Sequence, residues 1–233
     1  MPESGGTRRR IAIVIPVLNE EQALPSLLQS HFETGADEVV FVDGGSSDAG
    51  PRMLAASGVR WLQSGQGRAA QMNAGAAVCS AEVLIFLHAD TRIGAAHIGD
   101  VRRAMQDERV VGGRFDVRLS GRRPGFRIIE WFINRRSRWT RISSGDQAMF
   151  VRRDVFQRMG GFAEIPLMED IEFSRRLKRQ GRIACLSRPV ITSSRRWERY
   201  GMLHTLLLMW RLRLLYWLGT DPHALAARYR DAR

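Results

Sequence analysis

The chain has 233 residues, 44% of them hydrophobic and 26% charged, which excludes a fibrous or wholly disordered protein and allows one α/β domain with a sizeable core. A formal net charge of +12 would suit nucleic acid or an anionic membrane. The basic residues are nearly all arginine, with Lys178 the single lysine, and they are dispersed rather than blocked, so no nucleic-acid partner is expected.

Residues 1–9, polar and Gly-rich at the start, read as a flexible N-terminal tail. Arg8, Arg9 and Arg10 followed by the apolar run from Ile11 to Leu18 resemble a short signal peptide. However, Pro16 interrupts that run, Asn19-Glu20-Glu21 follows at once, and no small-residue cleavage site appears. A strand over Ile11–Val17, buried on both faces, is the better reading. Leu24, Leu27, Leu28 and Phe32 fall on one helical stripe. Glu38–Val42 reads as a second buried strand, ending at Asp43, and Gly44-Gly45-Ser46-Ser47-Asp48 as a tight loop. Val59–Gln63 is a third strand, Ala69–Val78 a helix, and Val83–His88 a fourth strand leading to Asp90. This alternation predicts a Rossmann-like, mostly parallel sheet flanked by helices. Ligands on such sheets sit beyond the carboxyl ends of the strands, so Asn19, Asp43 and Asp90 should converge on one crevice.

The second half is less regular. Val110–Leu119 alternates like a strand, Phe126–Phe132 looks helical, and Gln147–Val151 is a strand followed by a helix that Gly160-Gly161 stops. A helix over Glu169–Gln180, short strands over Ile183–Leu186 and Val190–Thr192, and a long apolar segment from Met202 to Leu218 complete the chain. Cys79 and Cys185 are too few and too far apart for a disulfide framework or a metal knuckle, and a reduced cytoplasm is the expected compartment.

Several groups have both a chemical and an ordinary reading. Asp43 could accept hydrogen bonds from a base or ribose, or simply form a turn. Asp90 could ligate Mg²⁺ or Mn²⁺ beside a diphosphate, or cap a helix. Glu169-Asp170 opens a helix, where the dipole alone favours acids, but one carboxylate there could act as a general base. Ser193-Ser194-Arg195-Arg196-Trp197 offers cations and an aromatic surface to a diphosphate or a sugar, or is a solvated turn. Gly65-Gln66-Gly67-Arg68-Ala69-Ala70 matches a G-x-G-x-x-A dinucleotide fingerprint, but it follows the third strand rather than the first.

Taken together, these segments resemble family 2 glycosyltransferases of the GT-A fold, in the same order and at similar spacing. Val14–Glu20 is similar to that family's opening strand and loop, and Phe41–Asp48 to its second strand. Gly67–Gly75 resembles the segment that approaches the nucleotide, and His88-Ala89-Asp90 the D-x-D-like motif, with His88 in place of the first acid. Met168-Glu169-Asp170 resembles the E-D motif. The wording Leu87–Thr91 with Leu167–Asp170 resembles a small bacterial arsenosugar-biosynthesis-type subgroup.

The resemblance implies a GT-A domain over residues 10–198 and a C-terminal helical extension over residues 199–233. It implies inverting transfer of a sugar from a nucleotide-diphosphate-sugar, a UDP-sugar favoured, to an unidentified acceptor. Nucleotide contacts would fall to Pro16, Asn19, Glu20, Asp43, Arg68 and Ala89, and a Mg²⁺ or Mn²⁺ ligand to Asp90. The catalytic base would be Asp170, and acceptor or phosphate contacts would come from Asp146, Gln147, Glu169, Arg195, Arg196 and Trp197. Residues 200–218 are too short and too interrupted by arginine for a membrane span; a helix packed on the domain or on a second subunit, as in a homodimer, is the default reading, and an interfacial helix on an anionic leaflet, a peripheral membrane contact, is the other. A nicotinamide-dependent oxidoreductase and a non-catalytic nucleotide-sugar or membrane-binding module are the rival readings.

Overall fold

The computed structural model describes residues 8–231. Of the expected tail, residues 1–7 lie outside the described residues. Arg8 and Arg9 are tied down: Arg8 Nη2 donates to Asp37 Oδ1 at 3.2 Å and Arg9 Nε to the Met105 carbonyl at 3.1 Å.

The first half alternates as expected: β1 (Ile11–Val17), α1 (Leu24–His31), β2 (Glu38–Asp43), α2 (Gly50–Ala56), β3 (Trp61–Gln63), α3 (Arg68–Val78) and β4 (Val83–Phe86). Then come β5 (Thr91–Arg92), α4 (Ala95–Ala104), β6 (Val110–Leu119), α5 (Pro124–Thr140), β7 (Met149–Arg152), α6 (Arg153–Arg158), α7 (Glu169–Leu177) and β8 (Arg182–Thr192). The chain closes with α8 (Arg195–Tyr200), α9 (Met202–Trp217) and α10 (Pro222–Asp231). The strands form one eight-stranded sheet in the order β3-β2-β1-β4-β7-β6-β8-β5. β3, β2, β1 and β4 run parallel, as do β6 and β8, while β7 and β5 run against their neighbours.

Residue parity explains the unbroken apolar run of β1. Ile11, Ile13 and Ile15 join a core with α1 and α4, whereas Ala12 and Val14 join a second core with α3, α6 and α7. A strand covered on both faces has no reason to alternate. On the second face α3 lies almost against the sheet. A Cβ at Gly75 would come within 2.4 Å of Val14 Cγ1 and 2.8 Å of Val42 Cγ2, so a glycine is needed for that approach. Gly160 and Gly161 end α6 at φ of 74° and 71°, the left-handed stop the sequence implies.

Some boundaries differ. The two short strands expected near 183 and 190 are one strand, β8; its register with β6 slips between Phe115 and Asp116, and the polar Ser187-Arg188 stretch is the bulge. The helix expected to end at Phe132 continues to Thr140, because Ile133 and Ser137 carry its inner face onward. The expected division at 198 falls inside α8. The C-terminal helices then fold back, burying Leu212 and Leu225 with Met168 and Ile171 of the α7 start. Among the described residues no helix is long and apolar enough to cross a membrane.

Candidate active site

The loops after β1 and β2 are laced together. Asn19 sits at φ 53°, its backbone N–H donates to Ser46 Oγ at 2.9 Å, and its Oδ1 accepts from the Ser47 N–H at 2.8 Å. The Glu21 N–H donates to Asp48 Oδ2 at 2.9 Å, and Glu21 Oε2 accepts from the Ala49 N–H at 3.0 Å. Beneath them the Gln71 amide, buried on α3, donates to the carbonyls of Val17 and Val42, both at 2.8 Å. One side chain therefore ties the carboxyl ends of β1 and β2 to the helix behind them.

Asp43 does not project into the crevice. It is fully buried, and its carboxylate accepts from the Gly45 N–H at 3.1 Å and the Ser46 N–H at 3.2 Å. In this geometry it shapes the loop. Pro16 is likewise buried within β1, paired in register with Val42.

Beyond β4, His88 and Ala89 are half-buried and Asp90 is exposed. Asp90 Oδ1 accepts from Thr91 Oγ1 at 3.3 Å and Thr192 Oγ1 at 3.5 Å, leaving Oδ2 without a hydrogen bond among the described residues. Arg195 Nη2 stands 3.8 Å from Glu20 Oε2. Burial raises the Glu20 pKa; Arg195 opposes this and the neighbouring Asp90 adds to it. Glu20, Asp90 and Arg195 thus share one polar mouth. The His88 pKa lies well below 6.5, first through burial and then through the charges of Arg68 and Arg196, so its ring is a neutral imidazole.

The carboxylates at the α7 start face the same region. Met168, at φ 70°, turns the chain into the helix. Asp170 is half-buried; its Oδ2 accepts from the Gly145 N–H and its Oδ1 from the Ile171 N–H, both at 2.7 Å. Gly145 sits against His88: a Cβ there would be 2.4 Å from His88 Nε2. Glu169 is 4% exposed and takes a contact from Arg68 Nη1 at 3.3 Å. Its pKa is raised, first by burial, with Arg68 pulling the other way and Asp170 adding to the rise. Arg68 therefore links the α3 start to the α7 start.

Other expected residues sit elsewhere or do other work. Gln147 is fully buried and its amide is spent on structure: Oε1 accepts from the Ser144 N–H at 3.2 Å, and Nε2 donates to Ser137 Oγ at 3.0 Å and the Phe115 carbonyl at 3.3 Å. Trp197 packs against Leu119, Phe126 and Ile129 rather than offering a platform to a sugar. Arg196 is exposed and lies over the Tyr229 ring of α10 at 5.6 Å. The sequence reading missed Gln71 as a site residue, although it lies in the Gly67–Gly75 segment. An open depression of about 640 Å³ is lined by Asp100, Arg103 and Arg188 among others and by none of these groups. The chemistry therefore locates the site, not the volume.

The fold is that of the GT-A glycosyltransferases. S. aureus TarS, in complex with UDP-GlcNAc, superposes with a TM-score of 0.62 at 17% identity, over 79% of this chain and 58% of that one. The Pyrobaculum calidifontis mannosyltransferase PcManGT, with GDP-Man and Mn²⁺, gives 0.61 at 20% identity, over 80% and 56%. Mycobacterium tuberculosis glucosyl-3-phosphoglycerate synthase, with Mn²⁺, UDP and glucosyl-3-phosphoglycerate, gives 0.55 at 18%, over 79% and 70%. The chain thus spans less than two thirds of the TarS and PcManGT chains it matches. No curated protein matches its sequence significantly. Residues 12–162 match the sequence model of Glycosyl transferase family 2, and the chain belongs to that family.

Proposed function

We propose that the protein is an inverting glycosyltransferase that moves a sugar from a nucleoside-diphosphate-sugar, a UDP-sugar favoured, to an acceptor hydroxyl, with Asp170 as general base. The observation that carries this reading is the Asp170 carboxylate. Two backbone N–H groups fix it in place, beside the more deeply buried Glu169 and Arg68. Solved structures of the same fold hold UDP-GlcNAc, GDP-Man or UDP, two of them with Mn²⁺. The acceptor oxygen attacks the anomeric carbon opposite the leaving group and its proton passes to Asp170. The bond from that carbon to the diphosphate oxygen breaks, the nucleoside diphosphate departs, and the anomeric configuration inverts. Asn19, Glu20 and Ala89 would line the nucleotide side, with Asp43 and Pro16 shaping it from beneath. Arg68, Arg195 and Arg196 would meet the phosphates. The narrower arsenosugar-type resemblance rests on Leu87–Thr91 and Leu167–Asp170 and assigns no substrate.

Among the described residues no three His, Cys, Asp or Glu side chains could hold a metal ion by themselves. One exposed carboxylate with a free oxygen, Asp90, does suit Mg²⁺ or Mn²⁺ whose other ligands are water and a donor diphosphate. Such an ion supplies charge neutralisation to the leaving diphosphate. The test is a thermal-shift screen of UDP, GDP, dTDP, CDP and NAD with and without Mn²⁺. One nucleoside diphosphate should stabilise the protein by about 2.7 kcal/mol at a hundredfold excess over its Kd. The shift should need Mn²⁺ and vanish in Asp90→Ala. Stabilisation by NAD alone would promote the Gly65–Ala70 fingerprint and remove the transferase reading.

For α9 we propose an anionic lipid surface as partner. Leu203, Leu207, Trp210, Leu214 and Trp217 form an exposed stripe at helical spacing. Residues 199–218 include Arg199, Arg211 and Arg213 but no acid, a charge pattern complementary to an anionic leaflet. Trp210→Ser with Trp217→Ser changes only exposed positions. It should cut co-sedimentation with anionic vesicles at least tenfold and leave the melting temperature unchanged. Unaltered sedimentation, or a dimer in solution that the double variant splits, would give the stripe to another role.

A further inference from the structure

Two helices bring unpaired arginines to the edge of the Asp170 site. On α5, Ser137 is fully buried and receives Gln147 Nε2 at 3.0 Å, which fixes the end of that helix against the Gly145–Gln147 turn that holds Asp170. On α9, Leu212 is 1% exposed and packs with Met168 and Ile171, which flank Glu169-Asp170. The residues adjoining these two anchors are Arg136 and Arg213. Arg136 Nε and Nη2 and Arg213 Nε are buried with no hydrogen-bond partner among the described residues, and so is Asp146 Oδ1 in the Gly145–Gln147 turn.

Arg114 Nε, Arg127 Nη1 and Arg153 Nε are also buried without a hydrogen-bond partner among the described residues, whereas other arginines are well satisfied. Arg152 donates to the carbonyls of Met105, Asp107 and Val110, and Arg176 to Glu172 and the carbonyls of Met159 and Gly161. Arg136 has no such partners for Nε and Nη2 among the described residues. Burial, and then the nearby charge of Arg213, push its pKa down to about 10 against the opposing pull of Asp146 and Asp170. Buried donors on a charged group are expensive to leave unpaired, and guanidinium N–H groups match the geometry of an oxyanion. Three such donors arriving from two helices suit the several terminal oxygens of a phosphate better than a lone hydroxyl.

We propose that Arg136 and Arg213 form the anion-recognising half of the acceptor subsite, and that the acceptor is an alcohol carrying a phosphate group beside the hydroxyl that Asp170 deprotonates. Asp146 Oδ1 accepts from that hydroxyl or from its neighbour. The assignment of these groups to an acceptor rests on the transferase reading; the phosphate site itself does not. A phosphate of this kind belongs either to a free phosphomonoester or to a lipid headgroup, and α9 carries both Arg213 and the exposed apolar stripe.

The test titrates the full-length protein with glycerol 3-phosphate, with glycerol, and with dihexanoylphosphatidic acid below its micellar concentration. The variants are Arg136→Gln, Arg213→Gln and the pair. UDP with Mn²⁺ is titrated in parallel. Saturable glycerol 3-phosphate binding is expected, at least tenfold weaker in each single variant, with no binding of glycerol and UDP–Mn²⁺ affinity within twofold of wild type. Tighter binding of the phosphatidic acid, lost in the same variants, assigns the lipid source; equal or weaker binding assigns the free ester. The Arg136→Gln melting temperature should equal or exceed that of wild type, since an unpaired buried charge is removed. Wild-type phosphate affinity in both variants overturns the proposal, as does a failure of wild type to bind phosphate. A lowered melting temperature with unchanged phosphate affinity makes Arg136 structural and also overturns it. Phosphate binding without any nucleoside-diphosphate binding would keep the anion site and remove the transferase reading.

Discussion

Asp170→Asn is expected to lower the turnover of sugar transfer by roughly 10²–10⁴-fold, the usual contribution of a positioned base, while UDP affinity and the melting temperature stay close to wild type. The amide has the shape of the carboxylate but takes no proton. One of the two N–H donors now held, from Gly145 and Ile171, would face an NH₂ group, a loss of about 1 kcal/mol that the fold absorbs. Its neighbour sharpens the assignment. Glu169 is the more buried carboxyl and its pKa is raised by burial, with Arg68 opposing and Asp170 reinforcing. Burial pushes Glu169 toward its protonated form, which leaves the less buried Asp170 as the assigned base. Single-turnover transfer from labelled donor is the measurement. Near-normal turnover in Asp170→Asn would remove Asp170 from the mechanism.

What the sequence made legible was what local pattern controls. β1, β2 and β4 were readable because strands buried on both faces are continuous apolar runs. The α7 start was readable because acids, a preceding proline and a helical stripe lie within a few residues of one another. The bulge in β8 was not, since two polar residues inside a strand look like a loop until β6 is known to run alongside. The fate of polar groups was the least legible. Asp43 lies at a strand end, as expected, but its own loop takes up its carboxylate. Trp197 neighbours two arginines in sequence, yet a hydrophobic cluster on α5 claims its ring. Arg136 and Arg213 are 77 residues apart, and α9 comes to the α7 start only because Leu212 packs with Met168 and Ile171. No spacing rule brings such residues together.

Gln71→Leu is the second large effect expected, and it acts on stability and donor binding at once. Leucine keeps most of the volume of the side chain and removes both buried hydrogen bonds to the carbonyls of Val17 and Val42. At roughly 0.5–1.5 kcal/mol each, that costs about 1–3 kcal/mol. For a chain of this size the loss corresponds to a fall in melting temperature of several degrees. The same amide lies directly under Gly44, where an added Cβ would come within 2.8 Å of Gln71 Cδ. Gln71 therefore supports the floor of the loop that Asp43 closes and that Asn19 braces from the side. Releasing it loosens the surface assigned to the nucleotide, so UDP–Mn²⁺ affinity should fall along with stability. Asp90→Ala should instead lose the affinity without the stability, because Asp90 is exposed and accepts only long contacts from two threonines. Thermal unfolding with and without UDP–Mn²⁺ separates the two. A Gln71→Leu protein that melts like wild type, or that melts lower but keeps full UDP–Mn²⁺ affinity, would show that the strand ends hold their loops without this helix.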